Sequence, residues 1–471
     1  MHVESAAIAR PDPTTGQRTL FIVLADGVGV RNILRTEVFT ILKAQKDLRI
    51  IIFSPLQDEA FAKEMQAENV VIEVRPKHKT GPLASMMESL HKDVWAHKTG
   101  IYTFAQKRAR NFGRRARLSL VKHLLRTNTP ERLEKLLQTL DRWKQTVTPP
   151  LATEYFERYK PDLVFYATLY TSSYCIEGGA QQHGIKTAAF VTSWDNPTSK
   201  GPFHVRPDRI IVWNELLREE VIQYHGYRPE QIYISGVPQF DIYTQRDRFL
   251  SREAFFKKLG LDPARKLITY TTGTQGTAPL DHEVVEQLYH SMRKGKLRHP
   301  CQLLVRLHPK DVAERYQHLH DKPDLVFQSP GRHGTTSDSW NPTREDMFGL
   351  AELMHYSDVV VNVASTITID AACFDTPVVN IAYDGYTSKP YPISTLRYYD
   401  FEHYRRIVEA GGVRIARSNE ETIRHIQSYL DDPTLETEGR RKIREQQCWK
   451  LDGQSGRRIA EYLLALLDGK A

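Results

Sequence analysis

Residues 359–382 read VVVNVASTITIDAACFDTPVVNIA. Val359 to Val363 is a short, nearly continuous apolar run, the pattern of a strand covered on both faces. The run ends at Ala364. Ser365 and Thr366 carry hydroxyls that suit the start of a helix, and a helix is predicted over Ile367 to Phe374. A second strand is predicted over Val378 to Ala382. Strand, helix and strand in such close succession are the unit of a parallel sheet with covering helices.

The same alternation extends on both sides. Strands are predicted at Leu267–Thr272, Gln302–Leu307 and Asp324–Gln328, with helices from His282 and over Met347–His355. Toward the amino terminus, strands are predicted at Leu20–Ala25, Leu48–Phe53, Val70–Val74, Asp162–Ala167, Lys186–Thr192, Arg209–Trp213 and Gln231–Ser235. Helices are predicted over Ile33–Ala44 and Gln57–Gln66. A length of 471 residues exceeds one ordinary core and suits two α/β domains. The expected division is a flexible leader (1–18), an N-terminal α/β domain (19–240) with a helical basic insertion at about 81–145, a C-terminal domain (241–450), and a terminal helix (451–471) able to cross back. The fold class is therefore α/β, with two Rossmann-like domains facing across a cleft.

Composition narrows the chemistry. The first residues lack the apolar run of a signal peptide, and no stretch has the apolar length to span a bilayer. Four cysteines have neither metal-ligand spacing nor the density of a disulfide framework, so a reducing compartment is expected. The net charge of +8 favours anionic partners. Between Lys107 and Arg126 the chain carries eight cationic residues and no acidic one. The run also contains Phe112, Leu118, Leu120, Val121, Leu124 and Leu125, so an anionic membrane surface is an expected partner. Nucleic acid is not expected, because the run lacks interleaved aromatics and no nucleic-acid module is present.

Three loops at strand ends of the second domain suit a phosphate. Ser365 and Thr366 add hydroxyl donors beside free backbone N–H groups, and Asp370 lies one helical turn further on. Arg306, His308 and Lys310 sit in R306-L-H-P-K-D, with Arg306 and His308 on one side of the strand by alternation. Gly273, Thr274 and Gln275 lie in a loop whose glycines allow close approach, although it lacks a Walker ending. Each also has a plain structural reading: helix capping, a solvated strand end, a turn. In the first domain, Trp194 is placed to stack on a sugar or base, Asp195 and Asn196 to bind hydroxyls, and Lys200 to meet a phosphate. Asp26 follows the first strand, and Arg31 and Arg35 follow it at helical spacing, suited to an acceptor phosphate.

The motifs S193-W-D-N-P, L307-H-P-K-D, N362-V-A-S-T-I-T-I-D-A and D452-G-Q-S-G-R-R-I resemble those of GT-B glycosyltransferase-like proteins of surface polysaccharide and wall-polymer biosynthesis. That group includes CDP-glycerol glycerophosphotransferase-like proteins and relatives of UDP-N-acetylglucosamine 2-epimerase. The resemblance spans most of residues 20–465. It implies a donor nucleotide site in the second domain, formed around His308 and around Ser365 and Thr366, and an acceptor site in the first. It also implies a carboxyl-terminal helix that crosses between domains. The family often places Glu at the start of the nucleotide-binding helix, where this chain has Asp370.

An inverting transfer needs a base for the acceptor hydroxyl. Asp26 and Asp195 are the candidates, with Arg306, His308, Ser365 and Thr366 stabilising the departing phosphate. The residues alone do not exclude a retaining course. No cofactor or metal is expected; the nucleotide-linked sugar or glycerol donor is a substrate. The expected function is an enzymatic glycosyl or glycerophosphoryl transfer to a glycan or lipid-linked acceptor, in the cytoplasm or at the inner face of the plasma membrane. The competing functions are a sugar-nucleotide epimerase and a non-catalytic nucleotide-sugar-binding assembly protein.

Overall fold

The structure, a computed structural model, describes residues 17–56, 58–78, 80–109, 111–170, 174–331 and 340–470; the side chains of 145–147 are outside that description. The expected leader lies outside the described residues up to position 16, and Arg18 already begins the first strand.

Two parallel sheets form. The first contains β1 (Arg18–Val23), β2 (Leu48–Ser54), β3 (Val70–Val74), β4 (Leu163–Tyr166), β5 (Thr187–Phe190), β6 (Arg209–Val212) and β7 (Ile232–Ile234), in the order β3-β2-β1-β4-β5-β6-β7. The second contains β8 (Lys266–Thr271), β9 (Cys301–Arg306), β10 (Leu325–Gln328), β11 (Val359–Asn362), β12 (Val378–Ile381) and β13 (Arg414–Ala416), in the order β10-β9-β8-β11-β12-β13. Strands such as Ile50–Phe53 and Val359–Val361 are fully buried, as apolar runs covered on both faces must be. Each order reverses once, between β1 and β4 and between β8 and β11. Open α/β sheets bind ligands outside the carboxyl ends of strands at such a point.

Two local expectations are corrected. The single helix expected over Ile33–Ala44 is broken: Thr36 is extended (φ −124°), its hydroxyl bonds the Asn32 carbonyl at 3.0 Å, and a new helix runs Glu37–Lys43. Periodicity missed β13 and the helices Glu402–Glu409, Asn419–Asp431 and Thr437–Cys448. β13 has only three residues, too few to show a period.

The carboxyl-terminal helix, Ser455–Leu467, packs on the Glu37–Lys43 helix of the first sheet. Asp241 fixes its start by accepting from the Ser455 and Gly456 N–H groups at 3.0 and 2.7 Å. A Cβ at Gly456 would lie 3.0–3.1 Å from Glu37 and Val38, tighter than most side chains pack, so glycine eases this approach.

Residues 82–147 form four helices, Pro82–Thr99, Tyr102–Ala109, Phe112–Leu125 and Pro130–Val147. They share a small core of their own that includes Trp95, Phe104, Leu118, Val121 and Leu137. The absence of acidic compensation holds along the basic run but fails in space. Asp93, fully buried on the first helix, accepts from Arg108 at 2.6 Å and also pairs with Arg117.

Candidate active site

The carboxyl edge of the second sheet carries a polar row that strand register creates. Gln328, Arg306, Thr271, Asn362 and Asn380 are successive Cα partners across β10, β9, β8, β11 and β12. In a parallel sheet such partners face the same way. The row is buried except for half-buried Gln328. Arg306 donates to Gln328 Oε1 at 2.6 Å, and Asn380 Nδ2 to Asn362 Oδ1 at 3.1 Å. Between these pairs, Thr271 Oγ1 and Asn362 Nδ2 have no partner among the described residues. Buried polar atoms are usually satisfied, and an orphaned pair is a natural place for ligand or water.

The loops follow from that edge. Gly273 donates its N–H to Asp281 at 2.6 Å, while Thr274 and Thr277 bond each other and Gln275 is exposed. This loop is braced by its own side chains. His308 Nδ1 accepts from the Lys310 N–H at 2.9 Å, and the His308 N–H reaches Thr272 Oγ1 at 2.9 Å. Burial lowers the imidazole pKa to about 4, with Asp311 opposing and Lys310 assisting. At neutral pH His308 is therefore uncharged, with its proton on Nε2, and that N–H has no acceptor among the described residues. Lys310 is exposed. Ala364 holds φ +38°, a strained value for a residue with a Cβ. It brings Ser365 round so that its N–H meets Asn362 Oδ1 at 3.2 Å and its hydroxyl accepts from Ile367 N.

The two halves meet at these loops. Trp194 Nε1 donates to Thr366 Oγ1 at 3.0 Å, and its ring meets His403 edge-on at 5.1 Å. Trp194 is buried, so this structure uses it as a bridge across the cleft. Asp370 is buried and accepts from the Tyr243 hydroxyl. Burial lifts its carboxyl to about 6, against the Tyr243 bond and the charges of Arg31 and Arg306. Arg31 comes from the first half; burial lowers its pKa, while Asp370, Tyr243 and Asp26 favour its charge. Arg306, from the second half, is lowered by burial to about 10 and supported by Asp346, Tyr243 and Asp370. The charges of two guanidinium groups, one from each half, thus act on Asp370 without pairing with it directly.

The candidate bases differ. Asp26 Oδ1 accepts from the Gly29 N–H at 3.0 Å and so caps the turn after β1. Asp195 accepts from Ser193 at 2.7 Å and from Ser199. Burial raises the Asp195 carboxyl, but the charges of His403, Lys200 and Lys107 with the Ser199 hydroxyl outweigh it and hold it well below the usual carboxylate range. A carboxylate that acidic is a poor proton acceptor at neutral pH.

Two acceptor-side expectations meet a different placement. Arg35 is buried and fully engaged, donating to both Glu64 oxygens at 2.9 Å, to Asn341 Oδ1 at 2.6 Å and to the Pro342 carbonyl. It ties the halves together rather than facing a phosphate. Asn196 is buried, with Nδ2 on Thr192 Oγ1 at 3.0 Å, and so shapes the loop. Lys200 is exposed.

Sequence reasoning missed Trp340, Tyr243 and His403. Trp340 covers the first half: Arg31 lies 5.9 Å from its ring, and a Cβ at Gly27 would collide with its carbonyl oxygen at 1.7 Å. Its signal was the same as that of Trp194, a tryptophan in a polar loop. His403 is buried, which disfavours its charged form while the facing Asp195 favours it, and its Nδ1 has no partner among the described residues. Nothing in its helix marked it. Among the described residues, no three His, Cys, Asp or Glu side chains gather as metal ligands.

Two parallel sheets, each with its switch point turned toward a shared cleft, define a GT-B-like α/β protein. Similar solved structures include UDP-GlcNAc 2-epimerase from Neisseria meningitidis bound to UDP-GlcNAc (TM-score 0.54, 11% identity, covering 95% of this chain and 99% of that one). An S. aureus MnaA–UDP co-structure (0.53, 12%, 96% and 97%) and Methanocaldococcus jannaschii UDP-GlcNAc 2-epimerase in complex with UDP-GlcNAc and UDP (0.51, 12%, 95% and 99%) are similar too. At these identities the likeness is one of fold. No curated protein matches the chain significantly. Residues 191–465, more than half of the chain, match the family described as CDP-Glycerol:Poly(glycerophosphate) glycerophosphotransferase, and the chain belongs to that family.

Proposed function

We propose that the chain is an enzyme that processes a nucleotide-linked substrate, seated on the carboxyl edge of the second sheet and closed over by the loops of the first. The observation that carries this reading is the buried polar row at the second sheet's carboxyl edge, where Arg306 lies in register with the orphaned Thr271 Oγ1 and Asn362 Nδ2, with the charge of Arg31 from the facing half felt at Asp370. Arginines suit phosphate oxygens because they stay charged and offer several N–H donors. Neutral His308 adds its Nε2–H, and Ser365 adds a hydroxyl.

Family membership favours group transfer. In that reaction the acceptor hydroxyl attacks the transferred glycosyl or glycerophosphoryl group. Its bond to the donor nucleotide breaks, and the nucleotide leaves with the bonding electrons. Asp26 takes the acceptor proton, and the arginines stabilise the charge growing on the leaving phosphate. Asp195, too acidic for that task, organises its loop and keeps Trp194 against Thr366.

Epimerisation of a nucleotide sugar is the second reading. It is favoured by the breadth of the fold match to three 2-epimerase or UDP-complex structures, which the chain covers at 97–99% of their length. The test is product analysis by mass spectrometry with UDP-GlcNAc and with CDP-glycerol, each with and without a polyol-phosphate or glycan acceptor. Transfer requires the acceptor and releases free nucleotide. Epimerisation needs no acceptor and leaves the substrate mass unchanged. Failure of calorimetry to detect binding of either nucleotide would overturn both readings.

A further inference from the structure

After β13 the second half ends in the Asn419–Asp431 and Thr437–Cys448 helices. The chain then crosses through residues 449–454 to the Ser455–Leu467 helix, which packs on the first half. Two thiols meet where it leaves. Cys448 is the last residue of the Thr437–Cys448 helix, and Cys373 is the last of the Ile367–Cys373 helix, which begins beside Ser365 and Thr366. Their sulfurs lie 3.6 Å apart, and both side chains are buried. The other two cysteines stand elsewhere: Cys175 opens the Cys175–Gln182 helix, and Cys301 Sγ donates to the His299 carbonyl at 3.2 Å. A disulfide has an S–S bond of about 2.05 Å, so the pair closes with an approach of roughly 1.5 Å. Both residues end a helix, where the backbone yields more readily than in its middle.

The surroundings tie the pair to both halves. Asn214, from the first half, donates to the Gln447 carbonyl at 2.7 Å, immediately before Cys448. Trp449 follows it at φ +59° and ψ −81°, a strained conformation for a residue with a Cβ. On the other helix, Asp370 stands three residues before Cys373, and the Phe374 ring meets that of Tyr243 at 5.1 Å. The two thiols therefore lie between a strained crossover and the Asp370–Tyr243 contact. Burial, the Cys448 thiol and the Asp370 carboxylate push the Cys373 thiol up, so the resting state is the dithiol. The same burial shuts out exchange with a bulky disulfide and leaves a small, uncharged peroxide as the oxidant able to reach the pair.

We infer that Cys373 and Cys448 form a peroxide-responsive dithiol, whose closure to a disulfide fastens the crossover to the helix that starts at Ser365 and Thr366. One sulfur, as its thiolate, attacks a peroxide oxygen. The O–O bond breaks, and the other oxygen leaves as hydroxide and takes up that thiol's proton to become water. The second thiolate then attacks the sulfenic sulfur, the S–S bond forms, the S–O bond breaks, and a second water leaves. The two sulfurs give up two electrons, and the peroxide accepts them. A thiol reductant reverses the link. The disulfide holds residues 449–454 against the second half, so hinge motion of the halves about that crossover is restrained.

The inference does not depend on the nucleotide reading, since thiols are counted without substrate. The full chain is treated with hydrogen peroxide, its remaining thiols are alkylated, and it is digested without reductant for peptide mapping by mass spectrometry. A Cys373–Cys448 cross-linked peptide is expected, lost on dithiothreitol, with Cys175 and Cys301 alkylated. Amide hydrogen exchange across residues 447–455 should slow roughly tenfold in the oxidised chain and recover with dithiothreitol. Cys175→Ala with Cys301→Ala should oxidise as the parent does, and Cys448→Ala should give no cross-link. If Cys448→Ala fails to fold, the peptide map of the parent still decides. Four free thiols after peroxide overturn the inference, as does over-oxidation of Cys373 or Cys448 without a cross-link, or a link to Cys175 or Cys301. A Cys373–Cys448 link that leaves exchange at the crossover unchanged overturns it too, because the pair then restrains nothing.

Discussion

The two sheets end differently at the cleft. At the carboxyl edge of the first, the register row through Glu73, Phe53, Val23, Tyr166, Ala189 and Ile210 is apolar except at its outer Glu73 and at the unbonded tyrosine hydroxyl. Its candidate residues sit beyond the strands, on loops, and each helps hold its own loop: Asp26 caps a turn, Asp195 gathers two serines, and Arg35 binds the facing half. At the edge of the second, polarity enters the strands themselves, through Arg306, Thr271, Asn362 and Asn380. A polar row inside a sheet carries a desolvation cost that its internal bonds only partly offset, and here two atoms in its middle remain unbonded. A fold that only needed stability would place apolar side chains there. Under the proposed function, the second edge would hold the nucleotide-linked substrate and the loops of the first would meet a second reactant.

The comparison breaks most visibly at the base. Asp26→Asn keeps the cap on Gly29, since Asn caps as well as Asp, but removes the proposed proton acceptor. Turnover is expected to fall roughly 1,000-fold, within the usual range for a general base, with nucleotide affinity little changed. Asp195→Asn should cost much less. Steady-state rates together with calorimetry on both variants decide it, and a larger loss at Asp195 would reverse the assignment.

Next in size is Arg306→Met, which removes the cation from the polar row. Nucleotide affinity measured by calorimetry should fall about 100-fold, the scale of a lost charged hydrogen-bond pair. Lys310→Met, on an exposed side chain one turn away, should change it by less than about threefold. Equal effects at the two positions would mean that the row is structural and that binding rests on diffuse charge.

The first half also contains a buried group with a pH signature. Burial pushes the Glu220 carboxyl up to about 8, against Arg406 at 3.3 Å and with Glu402 and Asp195 reinforcing the rise. A carboxyl raised on folding binds its proton more tightly in the folded state. Its stabilising contribution is complete below the ordinary Glu range, near pH 4, and is lost as pH rises through about 8. Glu220→Gln should therefore match the parent near pH 4 and become the more stable form by about 5 kcal/mol at pH 9. Thermal midpoints across pH 4–9 check this, and a constant difference would show that the carboxyl is ionised throughout.

The smallest effect sharpens the comparison rather than breaking it. Thr271→Val replaces an unbonded hydroxyl with a methyl of the same shape. Without ligand it should leave stability unchanged or raise it by up to about 1 kcal/mol. Nucleotide affinity should drop about fivefold if the hydroxyl meets the ligand. Unaltered affinity would remove Thr271 from the binding surface.

Much of this was legible in the chain. Parallel strands buried on both faces read as apolar runs, so twelve of the thirteen strands could be marked before any contact was known; β13 was too short to show. Loops at strand ends could be chosen because parallel sheets place ligands there, which is how Arg306, His308, Ser365 and Asp26 were singled out. What the sequence left open was partnership across distance. Arg35 and Arg31 lie four residues apart and look alike in sequence, yet one is consumed by Glu64 and Asn341 while the other faces Asp370. Arg108 and Arg117 share one carboxylate, that of Asp93, which lies outside the basic run. Register aligned Arg306, Thr271, Asn362 and Asn380 into one row, although they are spread over 110 residues. Local pattern reports which face of an element is apolar, because that depends on neighbours one turn or two residues away. Which buried charge meets which partner depends on how the sheets pack, and only the tertiary structure decided it.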